Sequence, residues 1–215
     1  MEINKAFITI GLATALLQMP VAADAQHAGS ACCDHGNKTC RQNPLLQKSS
    51  LPFGAPDFAR IKETDYLPAI EAAVKQQREN IQKIVDNKAK PTFANTILAY
   101  ENSGVLLENV SNVFFGLCSA HKTPVIADTE KKVTPLLTDL DNEISFNQKL
   151  FERIKYVYDH EYKSLTGEDQ RLTEVIYKGF VRSGAMLSAD KMQRIKQINS
   201  RISDLQQQWG NLLPE

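Results

Sequence analysis

An all-α fold, an array of antiparallel helices with short links, is predicted by three features of this 215-residue sequence. Apolar residues recur every three or four positions from Tyr66 to Trp209, the period of one helix face. No run combines sustained alternation of apolar and polar residues with hairpin-turn chemistry. The breaks between apolar stripes are short and rich in Pro, Asn, Lys and Gly, which stop helices and start new ones.

The stretch "LPFGAP", Leu51 to Pro56, reads as an extended, turn-bearing entry. Tyr66, Ile70, Val74, Ile81 and Ile84 then share one face of a helix that Thr64 or Asp65 can cap. "DNKAKP" ends it, and Thr92 is placed to cap a second helix running to about Glu101. A third starts at Gly104, and its wide apolar face (Val105, Leu106, Val110, Val113, Phe114, Leu117, Cys118) predicts a central position. Ile126, Val133, Leu136, Leu137, Leu140 and Ile144 form the next stripe, with a kink or short break expected at Pro135. Leu150, Phe151, Ile154, Val157 and Tyr158 continue the pattern. Thr166 and Asp169 have capping-box spacing ahead of Leu172, Val175, Ile176 and Phe180. Ser188 precedes a last helix whose Ile195, Ile198, Ile202, Leu205 and Trp209 step by three and four. That is a heptad-like seam, over too few turns for a free coiled coil.

Lys plus Arg equal Asp plus Glu at 25 each, so no net field favours nucleic acid or an anionic membrane. Residues 1–25 carry Lys5, an uncharged apolar run interrupted by Gln18 and Pro20, and small residues at Ala23-Asp24-Ala25. This is the pattern of a secretory signal peptide, so the mature protein is expected to be exported, periplasmic or secreted, and free of the membrane. A lipid anchor is less expected, because "GSAC" lacks the large aliphatic residue usual before a lipidated cysteine.

Residues 26–42 read as a disordered linker carrying Cys32, Cys33 and Cys40 beside His27 and His35. These cysteines are candidates for a disulfide, Cys40 with Cys32 or Cys33, or for weak metal binding. Adjacent Cys32 and Cys33 suit a tetrahedral ion poorly. Cys118, inside an apolar helix, is expected to be a buried, inert thiol. Two sequons occur, at Asn37 and Asn109, the second on an apolar helix where it reads as accidental.

One short stretch raises the question of chemistry. "HEYKS", His160 to Ser164, begins like the zinc motif H-E-x-x-H but ends in Ser. That motif works because His at i and i+4 share a helix face and clasp one ion while the Glu activates water. The chain has four His in all, and only His121 lies outside the linker besides His160. Neither a catalytic nor a metal-ligating residue is therefore assigned, and no cofactor is expected in this chain. The acidic run Asp139, Asp141, Glu143 reads as a solvated helix face.

The blocks "LPFGAPDFARIKETDYLPAIEAAVKQQ", "PTFANTILAYENSG", "SNVFFGLCSA", "NQKLFERIKYVY", "GFVRSGAMLS" and "LQQQWGNLL" are spread in order through 43–213. Together they resemble the N-terminal part of bacterial peptidyl-dipeptidases of the thimet oligopeptidase family. The resemblance implies a zinc metallopeptidase several times longer than this chain. It implies a helical clamshell around a channel for oligopeptide substrates, and release of C-terminal dipeptides by zinc-activated water. In that family the zinc ligands lie beyond the part present here, so none is carried over to any position of this sequence. Residues 43–215 would then be an incomplete helical region supplying channel wall or lid, inactive alone. The rival reading is a free-standing helical peptide- or protein-binding protein of the envelope.

Overall fold

A computed structural model describes residues 41–212. The signal-like segment and the three linker cysteines lie outside that range. Among the described residues every regular element is helical: α1 (Tyr66–Asp86), a single turn α2 (Ala99–Glu101), α3 (Val105–Ala120), α4 (Pro124–Ser145), α5 (Gln148–His160), α6 (Gly167–Ser183) and α7 (Ala189–Leu212). No described helix is long and apolar enough to cross a membrane.

The centre of the array is α1, which packs against α3, α4 and α5. Tyr66, Ala69, Ile70, Ala73, Val74, Ile81 and Ile84 are buried along it, the face that the periodicity predicts plus two alanines. Small residues at 69 and 73 let neighbouring helices approach, while each large aliphatic side chain removed from water contributes about 1.5–3 kcal/mol. Tyr66 meets Phe114 of α3 with ring centroids 5.5 Å apart. The entry is pinned from outside: Asp65 accepts a hydrogen bond from the Lys62 N–H at 2.8 Å and pairs with Arg41 at 2.8 Å. Burial pushes the Asp65 carboxyl up, but these donors outweigh it and hold it below the usual range.

Despite its apolar sequence, α3 is not the centre. It buries Leu107, Val110 and Phe114 against α1, while Val105 and Phe115 face out. Composition alone cannot separate a two-sided apolar helix from one with a single covered face.

The predicted second helix is irregular. Thr92 does cap it, accepting from the Asn95 N–H while its own N–H donates to Asn95 Oδ1 at 2.9 Å. The chain then runs as a π-helical stretch, Phe93–Leu98, into α2 and a 3₁₀ turn, Asn102–Gly104. Arg153 of α5 holds the approach: Nη1 donates to the carbonyls of Asn87 at 2.7 Å and Ala89 at 3.2 Å, and Nη2 to Asn95 Oδ1 at 3.1 Å. This wide turn with i→i+5 bonding is supported by side chains from another helix that satisfy the backbone leading into it.

α4 passes through Pro135 as one helix rather than two. The proline is exposed, where water takes the carbonyl that its missing N–H leaves free. Ile126, Val133, Leu140 and Ile144 are buried as the stripe predicts. In α6, Ile176 and Phe180 are buried, but Thr173 takes the inward position expected of Val175, which is exposed. Thr173 is accommodated because its hydroxyl donates to the Asp169 carbonyl at 2.9 Å. The predicted capping box does not form. Gly167 opens α6 at φ +58°, and the Thr166 side chain makes no bond to the first turn.

Gly184 ends α6 at φ +100°, with its N–H donating to Val181 and the Ala185 N–H to Phe180, a Schellman pairing. An added Cβ would lie 2.9 Å from Leu187 Cδ1.

Two outcomes follow. Arg153→Met leaves the Asn87 and Ala89 carbonyls without their donor, and the unfolding free energy should drop by about 1–3 kcal/mol, read as a lower denaturant midpoint at unchanged slope. Gly184→Ala should cost at least about 1–2 kcal/mol through its left-handed φ, measured in the same way.

Candidate functional site

The only catalytic-looking dipeptide, His160-Glu161, sits where α5 ends. His160 is exposed, and its ring stacks on Tyr156 one turn back, with centroids 4.0 Å apart. Its Nδ1 lies 2.9 Å from the Tyr156 carbonyl oxygen. A carbonyl can only accept, so Nδ1 carries the proton and donates. Position 164, where a second imidazole would be needed, holds a serine whose hydroxyl donates back to the Glu161 carbonyl at 2.8 Å.

Glu161 points elsewhere. Its Oε2 accepts a hydrogen bond from the Phe93 N–H at 2.8 Å. That N–H opens the π-helical stretch and has no partner within it, so a carboxylate there performs the service of an N-cap and meets the positive end of the turn. The residue that a zinc helix would use to activate water is here a bracket between two helical segments. His121, the other imidazole outside the linker, is exposed at the C-terminal end of α3.

Other chemistry-bearing groups are likewise committed. Glu143 receives both arms of Arg78, at 2.7 and 2.9 Å. The acidic run thus joins α4 to α1 at one end, while Asp139 and Asp141 remain exposed. Cys118 is half-buried, and burial pushes its thiol up to about 11. Tyr100 is pushed up to about 12 by burial, with its ring edge-on to Phe180 at 5.5 Å. No group of three or more His, Cys, Asp or Glu among the described residues is arranged to hold a metal ion. The donor set at His160 does not fit zinc: one imidazole, its Nδ1 already donating, followed by a carboxylate turned to a backbone N–H. Cys32, Cys33 and Cys40 lie outside the described residues.

A groove of about 580 Å³ opens where α4, α6 and α7 meet, lined in part by Asp141, Phe146, Arg182 and Asn199. Nothing in the sequence periodicity marks it, because its lining comes from three separate helices.

The chain matches dipeptidyl carboxypeptidases of Salmonella typhimurium and Escherichia coli at 38% and 37% identity over 172 residues. It is 25% identical to Oligopeptidase A of Escherichia coli over 170 residues. The matches take in 80% of this chain but only 25% of each carboxypeptidase, so the chain spans about a quarter of the length of these relatives. No protein-family model matches.

Removing the Glu161 carboxylate by Glu161→Ala should lower stability by about 0.5–2 kcal/mol, the usual worth of a helix cap. His160→Ala, at an exposed position, should stay within about 0.5 kcal/mol. Equilibrium denaturation of the two variants separates these roles. For Cys118, in a chain with Cys32, Cys33 and Cys40 replaced by serine, alkylation should be slow at neutral pH. It should accelerate roughly tenfold per pH unit until about pH 11, since only the thiolate reacts.

Proposed function

The chain belongs to the family of dipeptidyl carboxypeptidases and thimet-type oligopeptidases, matching its N-terminal part, and on that premise we propose that it is the N-terminal helical segment of an exported zinc peptidyl-dipeptidase. In this reading the helices of residues 43–212 form wall or lid over a channel that admits short peptides. The hydrolytic zinc is held by residues that this chain does not contain. The dipeptidase branch is favoured over the oligopeptidase branch because identity is 38% to the first and 25% to the second over nearly the same stretch. That difference, carried across 172 residues, is the observation on which the proposal rests.

The chemistry of the chain's own residues agrees. Amide hydrolysis by this family's route needs two imidazoles on one ion, and no two of His27, His35, His121 and His160 are spaced i, i+4. The contribution assigned to the segment is therefore shape: a rigid helical array that positions substrate for a centre elsewhere. Its oligopeptide substrates would meet helix faces and loop ends rather than reacting groups.

A graft tests this directly. Residues 43–212 replace the matching segment of the Salmonella typhimurium dipeptidyl carboxypeptidase, and release of C-terminal dipeptides from short peptides is followed. Retained release is expected. A folded, zinc-loaded graft that releases nothing would contradict the assignment. Export is tested separately: N-terminal sequencing of protein recovered from the envelope should begin at Gln26, and a start at residue 1 would oppose it.

A further inference from the structure

The last helix is seated the wrong way round for an amphipathic helix. α7 lies on α4 through polar side chains: Asn199 Nδ2 donates to Asn142 Oδ1 at 2.8 Å, and the hydroxyls of Ser203 and Thr138 lie 2.9 Å apart. Helices ordinarily turn their apolar stripe to the core and their polar stripe to water. Ile195, at the start of the apolar seam, is half-buried, but beyond it the seam lies roughly a third of a turn away from the α4 contact. Ile198, Ile202, Leu205 and Trp209 are 42, 47, 46 and 66% exposed.

The seam has the composition of an interface centre. From Ile198 to Trp209 the only charged residues are Arg201 and Asp204, one of each sign. Interface cores are depleted of charge and rich in aromatic anchors such as Trp. The four side chains step by four, three and four, the spacing at which one helix packs along another.

We propose that this seam is an intramolecular docking face, covered in the complete peptidase by apolar side chains of the portion that the relatives have and this chain lacks. The inference rests on the peptidase reading above. Two observations favour that occupant over a second copy. The relatives are about four times the matched length, so three quarters of their polypeptide has no counterpart here. The patch is also narrow. Four partly exposed side chains on one helix fall well short of the roughly 800 Å² per partner that a stable complex of separate molecules buries. Docking within one polypeptide avoids the translational and rotational cost of association and needs less area.

The experiment uses Ile202→Lys, Leu205→Lys and Trp209→Lys together, placed both in the chain alone and in the graft described above. In the chain alone, helicity and the unfolding midpoint should be unchanged, and binding of a hydrophobic dye should fall. In the graft, dipeptide release should fall about tenfold or more. A triple variant of the graft with full activity and an unchanged melting temperature would overturn the proposal. So would unfolding of the chain alone, which would place the seam in its own core. A dimer of the parent chain in sedimentation, made monomeric by the three lysines, would assign the seam to a second copy and also overturn it. If the unsubstituted graft is itself inactive, the peptidase reading has failed and this inference goes with it. An active unsubstituted graft with an indifferent triple variant sinks the inference alone.

Discussion

The burial of one face of α1 is the constraint on which the rest of the described structure depends. Ala69 and Ala73 let the backbones of neighbouring helices come close, and Ile70, Val74, Ile81 and Ile84 fill the space between them. Every other large element reaches the core through this helix or through one that touches it: α3, α4 and α5 directly, α6 through α5 and α7 through α4. The order of contact also ranks the elements. α1 buries seven residues along its length, whereas α7, at the far end of the chain of contacts, leaves Ile198, Ile202, Leu205 and Trp209 to water. Local stability should follow this gradient, because opening a peripheral helix exposes little apolar surface.

The second organising feature is polar. Arg153, near the middle of α5, and Glu161, just beyond its end, reach to the segment between α1 and α2, and between them they satisfy carbonyls at 87 and 89 and the N–H at 93. Without them the link into the π-helical stretch would lack donors for its carbonyls and the stretch would open on an unpaired N–H. The His-Glu pair that first suggests catalysis is thus explained by folding. The glutamate sits where a helix start needs an acceptor, and the histidine closes the preceding turn by stacking on Tyr156.

Much of the helical framework was legible because it depends on a period. Apolar residues at three- and four-residue steps located α1, α4 and α5 and the start of α3, and the short Pro- and Asn-bearing links located most of the ends. What was not legible depends on partners distant in sequence. The π-helical turn at Phe93 needs Arg153 and Glu161, some sixty residues away, and no local pattern announces them. Thr173 displaces Val175 from the inward face of α6 because a hydroxyl bonded to its own backbone is as acceptable there as a methyl. The wide apolar face of α3 predicts a central position, while how much of that face is covered is decided by α1. At His160 the spacing supplies one histidine and, four residues on, a serine, and at the end of α5 both side chains donate to backbone carbonyls.

We propose that this chain is scaffold, with the hydrolytic centre supplied by residues it does not contain. The most direct test is to purify the full chain from a host lacking endogenous dipeptidyl carboxypeptidases. Zinc content is then measured by mass spectrometry alongside C-terminal dipeptide release, with and without added zinc. Well under one equivalent of zinc and no release above a mock purification are expected. Stoichiometric zinc together with chelator-sensitive release that co-purifies with the chain would contradict the proposal.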